Sequence, residues 1–327
     1  MHEMRPPRRS ELQSLSGDMV GFWRTQALCA AAELRIIEAL PASTSQVAEL
    51  RALAPDRCER LLRAMGELGL VTRGGDTWQA TSRGALLNRE HPLQMADAAL
   101  HWGRDCYRPW EALPQALRAH GTWEAPRFFE ELSKDSQRVA SYHRAMASYA
   151  RQDYAHIAEA LHDVTHGTVL DAGGGSGVLL GNLLREQPEL RGLLLERPEV
   201  ARGVEVPAEF LGRMKVIAGD LFAPWSTQAD TIILSRILHD WSDTDAACIL
   251  QRAQEALAPG GRLHVIELVR GQEELGGSLL DLHMLVTTGG KERTEADFRT
   301  LLEMAGLRLV ERRSLASVSQ ILVAGVP

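Results

Sequence analysis

His239 stands in the stretch Ser235-Arg236-Ile237-Leu238-His239-Asp240-Trp241, directly after the apolar, β-branched run Thr231–Ser235. An imidazole titrates near neutral pH and can take the proton of a hydroxyl. His239 is therefore a candidate general base, set against the plainer reading of a core or capping histidine. Asp240, Asp243 and Asp245 follow it closely and could form a metal cluster with it. Ser242 and Asp245, however, are spaced like a capping box opening a helix, which gives these acids a simpler reason, and no metal is expected. A second stretch, Gly289-Gly290-Lys291-Glu292-Arg293-Thr294, brings backbone and charge together before a helix. Thr294 is expected to cap a helix running through Phe298 to Met304, and Glu292, just outside it, is a candidate to orient His239.

A binding site is written in Thr168–Gly177, TVLDAGGGSG, followed by VLLGNLL. An apolar run that breaks into glycines before a second apolar run reads as strand, tight turn, helix. Glycines at 173, 175 and 177 admit positive φ and let a ligand lie against the backbone. The free N–H groups opening the next helix would face that ligand. The spacing is neither the G-x-G-x-x-G of a dinucleotide site nor G-x-x-x-x-G-K-[ST], and no lysine follows to neutralise a triphosphate. Glu196 closes the next apolar run, GLLLE, where a carboxylate can accept hydrogen bonds from a ribose diol. A nucleoside without a phosphate chain is the expected ligand, with S-adenosylmethionine as the candidate; the alternative is a glycine turn that binds nothing.

The elements that must position these residues alternate in the second half of the chain. Strands are expected at Val169–Asp171, Leu193–Glu196, Lys215–Ala218, Thr231–Ser235, Leu263–Glu267 and Gln320–Val326, with helices between the first five, one of them Asp243–Ala258. The pattern predicts an α/β fold, a Rossmann-like doubly wound parallel sheet that binds ligands beyond the strands' carboxyl ends. Asp171, Glu196, Asp220, Ser235 and Glu267 all fall at or just after such ends.

The first half reads differently. Gly17–Leu40 is rich in Ala and Leu and predicts one helix stopped by Pro41. Ser43–Leu53 and Asp56–Leu68 predict two more, and LVTR-GGD-TWQAT predicts a hairpin. Together these make a winged helix, whose reading as a DNA binder is set against a structural or dimerising module. A net charge of −7 favours the latter and argues against a nucleic-acid surface. The helical stretch 96–161 gathers Trp102, Tyr107, Trp110, Trp123, Phe128, Phe129, Tyr142, Tyr149 and Tyr154, which serve either as core or as the wall of a planar substrate site. Three parts are expected: a disordered tail over 1–14, a helical winged-helix domain for dimerisation and substrate cover over 15–161, and a ligand-binding Rossmann-like domain over 162–327. Four scattered cysteines suggest neither disulfides nor zinc, and no apolar run would span a membrane. A soluble, cytoplasmic protein is expected.

Taken together, LDAGGGSG, GDLF (219–222), LHDWSD (238–243), APGG (258–261), Glu267 of VIEL and GGKERT carry a resemblance. From about Gly17 to its end the chain resembles the S-adenosylmethionine-dependent small-molecule O-methyltransferases of the caffeate and flavonoid type and their bacterial antibiotic-pathway relatives. The resemblance implies a homodimer interlocked by its N-terminal winged-helix domains, with an aromatic small-molecule substrate between domains. It implies His239 as general base flanked by Glu267 and Glu292, Asp220 and Leu221 at the adenine, Glu196 at the ribose, and S-adenosylhomocysteine as product without a metal. Candidate cofactor contacts are Gly173, Gly175, Glu196, Asp220, Leu221 and Ser235; candidate acceptor contacts are Trp102, Tyr142, Met146, Arg236 and Asp240. Ser235 and Arg236 stand where plant-type enzymes commonly carry Lys and Trp, so the likeness is to the bacterial branch and plant acceptor preferences do not transfer. O-methylation of an aromatic hydroxyl is the leading expectation. An N-methyltransferase, a non-methylating relative that binds S-adenosylmethionine, and a winged-helix regulator that senses it are the alternatives.

Overall fold

A strand buried on both faces must be apolar nearly throughout, and this holds for the central strands among seven that the second half of the chain lays side by side, five of them parallel. In the computed structural model, which describes residues 9–118, 123–271, 277–315 and 319–327, they form one sheet. Its strands are β1 (Gly167–Ala172), β2 (Leu190–Glu196), β3 (Met214–Ala218), β4 (Ala229–Ser235), β5 (Leu257–Glu267), β6 (Arg308–Ser314) and β7 (Gln320–Gly325). The order across the sheet is β6-β7-β5-β4-β1-β2-β3. Strands β1 to β5 pair in parallel, while β7 lies antiparallel to β5 and β6 antiparallel to β7. The chain steps outward from β1 through β3, then returns to lay β4 on the other side of β1. That reversal opens a crevice at the carboxyl ends of β1 and β4.

Side chains alternate between the sheet's two faces. Ile232, Leu234, Leu263 and Val265 pack on one side with the helices Asp243–Ala256 and Glu295–Met304. Val169, Leu194, Ile233 and Ile266 pack on the other with Leu179, Leu180 and Leu183 of the helix Val178–Glu186. Two boundaries differ from those read in the sequence. The helix from Asp243 stops at Ala256, because Leu257–Gly261 is taken up as the start of β5. Strand β6 carries charges along an exposed edge, so its sequence RLVERRS has no apolar run to betray it, and β7, antiparallel to both β5 and β6, makes the sheet mixed rather than wholly parallel.

The chain divides between Tyr107 and Arg108. The first unit is a winged helix: Thr44–Leu50, Pro55–Glu67, and the hairpin Val71–Gly74 with Thr77–Ala80, whose second strand also pairs with Ala42–Ser43. Ile36, Val47, Leu62, Met65 and Trp78 form its core. The single helix expected over Gly17–Leu40 is two, Arg9–Met19 and Phe22–Glu33, followed by a 3-10 turn at Ile37–Ala39. Gly21 weakens the first join, and Arg35, at φ 53°, turns the chain after the second. The helix from Arg9 also enters the stretch read as a disordered tail; residues 1–8 of that stretch lie outside the described residues. The expected domain boundary at 161/162 falls inside the second unit, within which the helix Ser136–Asp153 packs on Val178–Glu186. No helix among the described residues is long and apolar enough to cross a membrane.

Helix Glu295–Met304, which follows the loop bearing Glu292, opens on the expected cap. The Asp297 amide donates to Thr294 Oγ1 at 3.2 Å, and the Thr294 amide donates to Asp297 Oδ2 at 2.9 Å. Thr294→Ala should lower unfolding stability by about 1 kcal/mol, measured by denaturant titration. A loss within error would show that packing alone sets this helix start.

Candidate active site

The carboxyl ends of β1 and β4 gather two groups of side chains. At β1, Gly173, Gly175 and Gly177 have φ of 78°, 62° and 75°, a run that L side chains rarely adopt. A methyl on Gly173 would lie 2.5 Å from Ile237 Cδ1, and one on Gly174 would lie 2.2 Å from Asp171 Oδ2. The loop is thus drawn tightly over Asp171, which is wholly buried, with neither carboxyl oxygen in a hydrogen bond. Glu196, at the end of β2, accepts from the Gly175 amide at 2.7 Å and from the Arg197 amide at 2.9 Å. Burial pushes both acids up to about 7, and the charge of Glu196 adds to the rise at Asp171. The two N–H donors to Glu196 favour its charged form and work against the burial that raises it.

This cradle fits S-adenosylmethionine. Its acids suit a ligand bearing a positive charge. Arg197, next to Glu196 in the chain, is already committed to the Phe129 carbonyl at 3.0 Å and to Glu199 at 2.7 Å, so it is not arranged for a phosphate chain. Leu221 faces the loop, with Cδ1 3.6 Å from the point where a Gly173 methyl would stand. Asp220 is exposed and accepts from the Phe222 amide at 2.9 Å. Ser235 Oγ is 2.7 Å from the hydroxyl of buried Tyr154. Glu196 engages each oxygen in one backbone bond, so a ribose would share oxygens already in use.

At β4, Arg236 takes a positive φ of 55°, and its amide donates to the Ile266 carbonyl at 2.9 Å. This sharp turn delivers Leu238–Asp240 as a single 3-10 turn with His239 buried. His239 Nδ1 is 2.9 Å from Glu292 Oε1 and 3.7 Å from Glu267 Oε2, and Nε2 is 3.8 Å from Asp240 Oδ2. Of the two expected supporting acids, Glu292 is therefore the hydrogen-bond partner. Glu267 spends Oε1 on the amides of Ile237 (2.9 Å) and Leu238 (2.8 Å), fixing the turn itself. Burial pulls the imidazole pKa down, but Glu267, Asp240 and Glu292 together outweigh it and hold His239 at about 9.

The GGKERT loop clamps the same turn from behind. A methyl on Gly290 would lie on the His239 carbonyl oxygen, and the Lys291 amide donates to that oxygen at 2.9 Å. Arg293, fully buried, donates to the carbonyls of Leu238 (2.5 Å) and Trp241 (2.8 Å) and to Asp243 Oδ1 (3.0 Å). Asp243 also holds Lys291, and Asp245 caps its helix with Ser242, so these acids do not gather on His239. His239, Glu267 and Glu292 do bring one nitrogen and two carboxylate oxygens within 4.8 Å of one another. Within this group His239 Nδ1 and Glu292 Oε1 are hydrogen-bonded to each other, while Glu267 Oε2 has no hydrogen-bond partner.

Of the remaining candidates, Tyr142 and Asp240 lie near Arg236. Tyr142 is half-buried and packs edge-on to Phe128 and Phe129 against a small core of Leu132, Val139 and Val200. Met146 is half-buried one turn further along the same helix. The Arg236 guanidinium lies 3.8 Å from Asp153. Trp102 belongs to the first unit, its ring 5.7 Å from that of His101. Sequence reading missed His143, whose Nδ1 lies 3.3 Å from the point a Gly175 methyl would occupy. Burial and the charge of Arg197 push its pKa down to about 4, so it covers the loop uncharged. It also missed the clamp made by Arg293, although the motif was in plain view.

Residues 110–308 match the O-methyltransferase domain family, and residues 18–90 match its dimerisation domain. The chain belongs to the O-methyltransferase family. A phenazine O-methyltransferase of Lysobacter antibioticus is 33% identical to this methyltransferase over 89% of both chains. An aclacinomycin 10-hydroxylase of Streptomyces purpurascens is 31% identical over 96% of this chain and 89% of its own. The crystal structure of LaPhzM is similar at a TM-score of 0.87 and 31% identity, covering 97% of this chain and 99% of that one. An O-methyltransferase from neocarzinostatin biosynthesis, solved with S-adenosylmethionine and 2-hydroxy-5-methyl naphthoic acid, is similar at a TM-score of 0.78 and 30% identity, covering 93% and 96%. The methyltransferase is an S-adenosylmethionine-dependent enzyme of this family.

The raised pKa of Asp171 has a consequence for stability. A carboxyl that titrates higher when folded contributes stability that is full below its unfolded value near 4 and lost as pH rises through about 7. Asp171→Asn should therefore lose less stability between pH 5 and pH 8 than the parent, measured by urea unfolding without ligand. Equal losses would mean that Asp171 is ionised in the fold.

Proposed function

We propose that the methyltransferase methylates a hydroxyl of an aromatic secondary metabolite, with His239 as general base. The observation that carries this reading is the 2.9 Å contact of His239 Nδ1 with Glu292 Oε1 at the end of β4, beside the glycine loop. Bound S-adenosylmethionine supplies an electrophilic methyl on a positively charged sulfur. The chain's own part is to hold the acceptor in line and remove its proton. Nδ1–H donates to Glu292, which leaves Nε2 as the atom that accepts the hydroxyl proton. The imidazolium so formed is stabilised by Glu292 and Glu267. Asp220 and Leu221 are assigned to the adenine end, Glu196 and Ser235 to the ribose and methionine parts, and Met146, Arg236 and Asp240 to the acceptor. The phenazine and naphthoate names among the relatives support a fused-ring acceptor.

A hydroxylase among the relatives favours a second reading, a non-methylating reaction on the same scaffold. Mass spectrometry of products from 1,4-dihydroxy-2-naphthoic acid and S-adenosylmethionine separates the two, since one adds a methyl and the other does not.

The base assignment fixes a pH profile. Turnover should rise with pH as His239 loses its proton, with a midpoint displaced above the ordinary histidine value toward about 9. His239→Gln should lower turnover by roughly 100-fold and abolish the rise, while leaving S-adenosylhomocysteine affinity in calorimetry unchanged. Near-parental turnover in that variant would reduce catalysis to alignment and return His239 to a structural role.

We also propose a homodimer formed through the N-terminal unit. The dimerisation-domain match over 18–90 supports it, as do exposed Leu12, Leu15, Met19 and Trp23 on the first two helices. A nucleic-acid role is not proposed, since Glu59 on the would-be recognition helix binds Arg63 at 2.8 Å and Arg73 at 3.0 Å. Light scattering at micromolar concentration should return about twice the chain mass. A mass near 36.0 kDa would contradict the dimer.

A further inference from the structure

We propose that Asp281, backed by Arg270, is a positioning residue that holds the Glu292 backbone where its carboxylate meets His239. The inference rests on the reading of His239 as base, but its test does not. Asp281 sits on the helix Ser278–Thr287. Its Oδ1 accepts from the Glu292 amide at 2.8 Å, and its Oδ2 accepts from Arg270 Nη1 at 2.6 Å. Arg270 closes the two-residue strand Val269–Arg270, which pairs in parallel with Arg293–Thr294. The Glu292 amide lies immediately before that ladder, so Asp281 fixes the last peptide that the ladder leaves free.

The consequence for His239 is geometric. The Gly290 and Lys291 contacts fix the loop on one side of Glu292, and Arg293 fixes it on the other. The intervening amide has Asp281 as its acceptor. A loose peptide there would let the Glu292 carboxylate swing off Nδ1, and its buried Oε2, which has no partner of its own, would not hold it. Asp281 itself adds little field at the imidazole, because Arg270 neutralises it at 2.6 Å. The groups that face His239 are Glu267 from β5, Asp240 from its own turn, and Glu292. Losing one of the three lowers the proton affinity of the ring.

The test is NMR titration of the His239 ring in the full chain without ligand, with the signal identified by its loss in His239→Gln. Glu292→Gln should move the midpoint down by about one pH unit, the size of one charge-assisted hydrogen bond. Asp281→Ala should move it in the same direction by a comparable amount. In the Glu292→Gln background, Asp281→Ala should add nothing. Asp281→Asn offers one acceptor to two donors and should give a smaller shift in the same sense. A parental midpoint in folded Asp281→Ala overturns the proposal, as does a full additional shift in the Glu292→Gln background. If Asp281→Ala does not fold, Asp281→Asn decides, and a parental midpoint there overturns it. Turnover of His239→Gln judges the base reading separately, since the ring's titration reports the positioning whether or not the ring is the base.

Discussion

One hydrogen bond, from His239 to Glu292 in a buried site, sets the terms for the C-terminal half of the chain. Buried charges cost several kcal/mol each unless paired with good geometry, and such pairs seldom add net stability. The cluster of His239 with Glu267, Glu292 and Asp240 is therefore a poor way to stabilise a fold and a good way to raise the proton affinity of one nitrogen. The surrounding chain supplies the geometry. Gly290 has no side chain because the His239 carbonyl occupies the space, and Arg293 gives up solvent to bind two carbonyls of the same turn. Glu267 serves twice, as acceptor for the Ile237 and Leu238 amides and as a negative charge beneath the ring.

The glycine loop obeys a similar constraint with the opposite emphasis. Asp171 lies under the loop without a donor, and Glu196 is tied into the loop by the Gly175 amide. Burial raises both carboxyls, and the charge of Glu196 adds to the rise at Asp171. A ligand carrying positive charge would compensate that charge, so the site is prepared for a sulfonium. His143 covers the loop as a neutral ring, which avoids placing another positive charge beside that ligand.

The winged-helix unit shows why shape is a weak guide to role. Its helix Pro55–Glu67 has the arginines of a recognition helix, but Glu59 accepts from Arg63, Arg73 and the Thr44 hydroxyl. Internal pairing uses part of the charge that a phosphate backbone would need. The apolar residues of the first two helices, left uncovered in one chain, point instead to protein surface.

What the sequence by itself determined is the local part of each device. Apolar runs ending in Asp171, Glu196, Ser235 and Glu267 identified β1, β2, β4 and β5, because a strand buried on both faces has no alternative to such residues. The pair Ser242 with Asp245 and the cap at Thr294 were legible because a cap is an interaction over three residues. His239 and Glu292 were legible as chemistry from their types and their places beside a strand end and a glycine pair. The charged edge strand β6 was not legible, since its pairing comes from β7 and not from its own side chains. The tertiary structure alone decided that Glu292, 53 positions from His239, takes the hydrogen bond while Glu267 supports the turn. It alone placed Arg293 beneath that turn, His143 over the glycine loop and Tyr142 edge-on to Phe128 and Phe129. These are contacts between elements distant in the chain, and no periodicity or spacing records which side chains a fold brings within 3 Å of one another.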